Sequence, residues 1–184
     1  MALQTINATY LGNGTVARSI LPSGTVVQTV RGQLTTKFAS SNTATYVDIG
    51  LSAAITPTAS SHKILIHATI WSGGQNDGYP FFRLLRDSTE IGSGTGNSGS
   101  NNVNAFAGGF FTAIGSMVYR QHCLNRHFLD SPSSVSEVTY KIQGKNAYTA
   151  GSAGIVYVNR AHNDGDNLFA GCCQSELVLM EIVA

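Results

Sequence analysis

The sequence predicts an all-β fold of antiparallel strands, a sandwich or a barrel. Three observations predict it. Short apolar runs recur every 10 to 15 residues or so, with turns rich in Gly and Ser between them. No segment sustains an i, i+3, i+4, i+7 apolar pattern with caps, so no helix is predicted. The third observation is Lys63–Trp71, KILIHATIW, the strongest strand signal in the chain. Alternation puts Ile64, Ile66, Ala68 and Ile70 on one side of it, which belongs in a dry core. Leu65, His67, Thr69 and Trp71 fall on the other side, which is mixed but far from water-loving. A strand covered on both faces is central, and the second cover is expected from another subunit.

The elements follow in order. Residues 1–24 are short-sided, nearly uncharged and rich in turn signals, including Gly12-Asn13-Gly14 and Pro22-Ser23-Gly24. They hold too few large apolar groups for a core, so they read as an arm that orders on a partner. Ile6, Tyr10, Leu11, Val16 and Ile20 are its candidate contacts. Residues 25–184 read as the β-domain. Thr25–Val30 and Thr35–Ala39 are its first strands. Tyr46–Ile49 and Leu51–Ile55 are joined at Gly50, the mark of a bulge or bend. Tyr79–Arg86 leads through a tight turn at Asp87-Ser88 into Thr89–Ile91. Gly92–Asn104 is a low-complexity loop, and Ala105–Ala113 follows it. Met117–Asp130 suits one bent strand or two short ones. Val138–Gln143, Ile155–Asn159 and Glu176–Val183 complete the set.

Composition narrows the function. The 184 residues carry a net charge of +1, and only 11% are charged, where an average soluble domain has roughly 25%. Neutral Ser, Thr, Asn and 20 Gly fill the gap, as suits a tightly assembled β-protein. No basic block exists to neutralise phosphates, so nucleic acid is not an expected partner. No apolar run approaches the roughly 20 residues of a membrane helix, so no membrane insertion is expected. The start, MALQTINATY, lacks the pattern of a signal peptide. Without one, the acceptor patterns at Asn7 and Asn13 carry no weight. Cys123, Cys172 and Cys173 have no metal-type spacing and read as reduced thiols of a protein made in a cytoplasm.

The series PFFRLLRDSTEIGSG, FLDSPSS, TYKIQ, IVYVNR and LVLMEI, in that order and spacing, resembles a family of surface domains from virions of tailed phages, cyanophages among them. The likeness covers about Gly24–Ala184. It implies a jelly-roll β-sandwich, C1q/TNF-like in outline and homotrimeric. It implies one of two settings. The first is a capsid cement (decoration) protein on the capsid exterior, made in the host cytoplasm and partnered by itself and the major capsid protein. The second is the distal receptor-binding domain of a tail fibre or tailspike, with a host-surface glycan as partner. Only residues 1–24 precede the domain, which favours cement. If the domain trimerises, side chains beyond the needs of one sandwich make Leu65, His67, Trp71 and Phe82 the expected trimer contacts. Asn97, Asn101, Asn163, Asp164 and Asp166 are the expected loop contacts. Under this likeness Asp87 starts a turn, Asp130-Ser131-Pro132 ends a strand, Tyr140 and Ile142 point inward, and Asn159-Arg160 closes a strand.

No reaction signature emerges. Gly94-Thr95-Gly96-Asn97-Ser98-Gly99 spells G-x-G-x-x-G, but Ser100-Asn101-Asn102 follows where a dinucleotide site needs a helix. Asn163–Asn167 is acidic, yet the twelfth place from Asp164 is Ser175 where a calcium loop wants a carboxylate. The five His and Cys123 show no closed zinc spacing, and His67 reads as a core or subunit-contact histidine. No G-x-S-x-G is present. The expectation is a protein that is not an enzyme and holds no cofactor or metal.

Overall fold

The central strand forms where the alternation puts it. In the computed structural model, which describes residues 20–41, 45–74, 78–96, 103–109, 119–147, 155–166 and 168–184, it is β4, Lys63–Gly73. Ile64, Ile66, Ala68 and Ile70 are fully buried, while Leu65, His67, Thr69 and Trp71 are half-buried. β8 (Gln121–Asp130) pairs along one edge of β4. On the other edge lie β11 (Ser175–Ile182), against Lys63–Thr69, and β10 (Val156–Val158), against Ser72–Gly73. β1 (Val26–Leu34) then pairs with β11, and β2 (Phe38–Ser40) with β10.

The second sheet runs β3 (Val47–Ile55), β9 (Val138–Asn146), β5 (Pro80–Arg86), with β6 (Thr89–Ile91) and β7 (Ala107–Gly108) on the outer edge of β5. Every pairing is antiparallel. The sheets face one another as a sandwich. Leu177 and Leu179 join the isoleucines of β4, and Ile49, Leu51, Ile55, Leu84, Tyr140 and Ile142 meet them from the other side. Each such side chain contributes roughly 1.5–3 kcal/mol when taken from water. Tyr140 and Ile142 point inward as the resemblance implied.

Several turns obey local chemistry. Gly50 sits at φ +88° and the register slips between Asp48 and Leu51, the bulge expected there. Asp87 takes a left-handed φ of 54° and its carboxylate accepts from the Thr139 amide at 2.9 Å. The first strand outruns its expected end at Val30 and continues through Gly32. Gly32 is what lets β1 lie against β3: a Cβ there would overlap the Ser52 carbonyl. Gly32→Ala is therefore expected to cost about 3 kcal/mol, because two strands must part to admit one methyl. Urea unfolding checks this; a loss below half that figure refutes the close-approach role.

Phe82 is corrected here. It was expected at a trimer contact, but it is fully buried in the sandwich core. Its inward parity is set by β5, where Phe82 and Leu84 share the face that meets the first sheet. No surface is left on it for a second copy.

Antiparallel winding sorts the connections to two ends. At the proximal end the chain comes in at Ser23–Val26 and leaves after Ile182, beside the β3–β4, β5–β6 and β8–β9 turns. There the Gly24 amide donates to Val183 O (2.8 Å) and the Val183 amide to Thr25 O (2.9 Å). The ends of β1, β4 and β9 and the starts of β3, β5 and β11 lie at the distal end.

Candidate interaction surface

The outer face of the first sheet is built by register alone. Odd-numbered residues of β4 point out, and their partners come in rows. Leu129, Leu65 and Met180 form one row, and His127, His67 and Val178 the next. Asn125, Thr69 and Glu176 follow, then Cys123 beside Trp71. The centre is apolar and imidazole. Leu129, on the edge strand β8, is 48% exposed. The His67 and His127 rings lie 4.3 Å apart, tilted by 36°. Polar groups ring this centre: Thr69 Oγ1 donates to Asn125 Oδ1 at 2.9 Å, and Arg31 pairs with Glu176 at 2.7 Å. An apolar middle with a polar rim is the anatomy of a protein contact.

The outer face of the second sheet is the opposite in character. Asp48 accepts from Lys141 (3.3 Å) and Gln143 (2.7 Å). Arg83 donates to Gln143 (2.8 and 2.6 Å) and to Glu90 (3.2 Å). The Tyr46 ring lies under the cations of Arg83 (4.6 Å) and Lys145 (4.8 Å). Burial pushes the Tyr46 hydroxyl up to about 12, with Glu90 adding to the rise and Arg83 opposing it. These charges are satisfied among themselves and face solvent.

Three buried polar knots hold the scaffold. Arg86 Nη1 donates to both Asp130 oxygens at 2.9 Å, and the Tyr140 hydroxyl donates to Asp130 Oδ2 at 2.7 Å. Burial first, then the Asp130 bond and charge, hold the Tyr140 proton on well above its ordinary range. Glu181, fully buried, accepts from the Thr58 amide (2.7 Å), Thr58 Oγ1 (2.6 Å), His62 Nδ1 (2.6 Å) and Gln28 Nε2 (2.5 Å). Burial alone would raise its pKa, but the bonds from Thr58, Gln28 and His62 outweigh it and leave the carboxyl below its ordinary value. Asn159, at φ 60° and fully buried, donates to Leu34 O (2.6 Å) and Thr36 O (3.1 Å) and accepts from Ser175 Oγ (2.6 Å). All three knots point inward and bind the chain to itself. None was singled out as a polar core group from the sequence.

Of the residues expected to make contacts, Leu65, His67 and Trp71 do share one outer face. Ile20 is 41% exposed near the proximal end. Ile6, Tyr10, Leu11 and Val16, like Asn97 and Asn101, lie outside the described residues. Asn163 and Asp166 are exposed at the distal end. Asp164 is held by Arg160 (2.6 Å) and Lys37 (3.2 Å), which makes it a brace of that loop. His162 accepts or donates at 2.8 Å with the Tyr157 hydroxyl, and burial, with Arg160, lowers its pKa. Cys123, Cys172 and Cys173 are free thiols. His127 was missed as a contact: its place beside His67 follows from pairing across sixty residues of sequence.

No known family's sequence profile matches the chain, and no curated protein matches its sequence. Among solved structures it is similar to that of the infectious bursal disease virus Gx strain, at 14% identity and a TM-score of 0.41, over 87% of this chain and 39% of that one. It is also similar to a mutant VP2 protein of infectious bursal disease virus in derived T=1 particles, at 12% identity and a TM-score of 0.41, over 87% of this chain and 37% of that one. The chain thus spans about two fifths of the length of the chains it matches.

Proposed function

We propose that this chain is a virion structural protein: a homotrimeric capsid cement (decoration) protein of jelly-roll type, bound to the capsid exterior. The observation that carries the reading is the contrast between its two outer faces. The face of β3, β9 and β5 is charged and paired within itself. The face of β8, β4 and β11 offers Leu129, Leu65, Met180, Val178 and Trp71. Copies of the chain cover that second face. A contact of ordinary size hides about 1,600 Å², enough to outweigh the entropy of association when its centre is apolar.

The strand order supports the jelly-roll reading. β1–β11–β4–β8 faces β3–β9–β5–β6, two four-stranded sheets wound as a double Greek key, with β2, β7 and β10 as additions. The virion setting rests on the sequence resemblance. The two-ended layout agrees with it. A proximal arm would hold the major capsid protein, while Asn163 and Asp166 stand at the far end. Those distal side chains are also what favours the second reading, a receptor-binding tail-fibre domain that touches a host glycan.

Light scattering on the purified chain tests the trimer. Three chain masses are expected. Leu65→Glu is expected to weaken assembly at least a hundredfold or so, since an unpaired carboxylate would be buried at a cost of several kcal/mol. The wild-type chain running as a monomer overturns the proposal. Copy number per particle then separates cement, in hundreds, from a fibre tip, in tens or fewer.

A further inference from the structure

We propose that His67 and His127 form a two-imidazole chelate for a divalent first-row transition ion, and that side chains of a neighbouring copy complete the coordination. The inference rests on the self-association just argued, because one copy alone supplies only two ligands. Among the described residues no group of three or more His, Cys, Asp and Glu side chains converges on one point.

The geometry is the argument. His67 and His127 are direct partners in the β4–β8 ladder, and both point outward. Directly opposed residues of an antiparallel pair have Cβ atoms about 4.5–5.5 Å apart. That spacing suits two imidazoles whose nitrogens must each come within about 2.1 Å of one ion. The rings already stand 4.3 Å apart, centroid to centroid. No hydrogen bond ties either ring's nitrogens to another described residue, in contrast to His62 and His162, which are each bonded through Nδ1. His67 stands on β4, which is paired on both edges and has a fully buried inner face, and His127 on the edge strand β8, which is paired to β4 along its whole length. The ligands are therefore held in place before the ion arrives.

The surroundings add to the case. Leu65 and Leu129 flank the pair on one side and Val178 on another. Two bare imidazoles in the middle of an apolar contact would lose water without gaining partners. An ion shared between copies satisfies them and closes its own tetrahedral shell. Imidazole donors select Zn²⁺, Ni²⁺ or Cu²⁺ over Mg²⁺ or Ca²⁺.

The test is calorimetric titration of Zn²⁺ into the metal-stripped chain, with its mass followed by light scattering. The expected result is saturable binding at no more than one ion per chain, accompanied by tighter assembly. His67→Phe and His127→Phe each keep an aromatic ring in the stack and remove its nitrogens. Each is expected to weaken Zn²⁺ binding about a hundredfold, the avidity lost with one of two linked donors. Binding that is absent, or that persists unchanged in the double Phe variant, overturns the chelate. A metal-stripped trimer that ignores Zn²⁺ likewise overturns it while leaving the assembly proposal standing. A monomer that binds one ion per chain overturns the sharing between copies, and the assembly proposal with it.

Discussion

Replacing Arg86 with alanine is expected to destabilise the fold by about 3–5 kcal/mol. Arg86 is the counter-charge of Asp130, which is only 6% exposed. Its Nη1 reaches both carboxylate oxygens. Without it the carboxylate keeps one donor, the Tyr140 hydroxyl, and faces an apolar interior. The pair also joins the sheets, since Asp130 ends β8 in one and Arg86 ends β5 in the other. Urea unfolding at fixed protein concentration measures the loss, the concentration being held because assembly adds to apparent stability. The double variant Arg86→Leu, Asp130→Leu is expected to recover much of it, because a buried pair exchanged for apolar groups of similar volume is often close to neutral. An Arg86→Ala protein within 1 kcal/mol or so of wild type would mean that water reaches Asp130 freely and the clamp is only a surface pair.

Glu181→Ala is expected to cost about 3 kcal/mol, because it strands the Thr58 amide, leaves His62 Nδ1 only a long contact to Thr58 Oγ1 and leaves Gln28 Nε2 only the Thr56 carbonyl, all at the proximal end of the core. Glu181→Gln keeps the shape and is expected to cost less. The two side chains separate by pH. The folded carboxyl of Glu181 lies below its ordinary value of 4.5, so its charge stabilises the fold at pH above that value. The contribution is lost as pH falls through the folded value, where the native state must also take up a proton. Wild type is thus expected to lose stability on acidification below about pH 4.5, and Glu181→Gln to lose less over the same window. Unfolding midpoints of the two proteins at pH 7, 4 and 3 or so check this; parallel declines would show that Glu181 does not carry the acid sensitivity.

Much of the sandwich was legible because strands announce themselves locally. The inner face of Lys63–Gly73, the bulge at Gly50 and the turn at Asp87 all follow from side-chain parity and backbone freedom. Phe82 was misplaced for a reason that parity explains. In YPFFRLLR two aromatics are adjacent, so one must point in and one out, and only pairing with β9 decides which. Glu181 was illegible for another reason. An acid in LVLMEI reads as solvent-facing, while the donors that make its burial tolerable come from Gln28, Thr58 and His62, far away in the chain. The His67–His127 pair was hidden in the same way, since neither residue's neighbours in sequence hint at the other. Local chemistry sets the strands; what they bring together depends on register.

The sorting of connections has a practical use. Gly165 lies between β10 and β11, towards the distal end, with open space around the position a side chain would take. A foreign peptide grafted there would project away from the root of the sandwich, where the chain threads in at Ser23–Val26. A tag appended after Ile182 would instead crowd that root. Display libraries or epitopes belong on the first site, and affinity handles should be kept from the second.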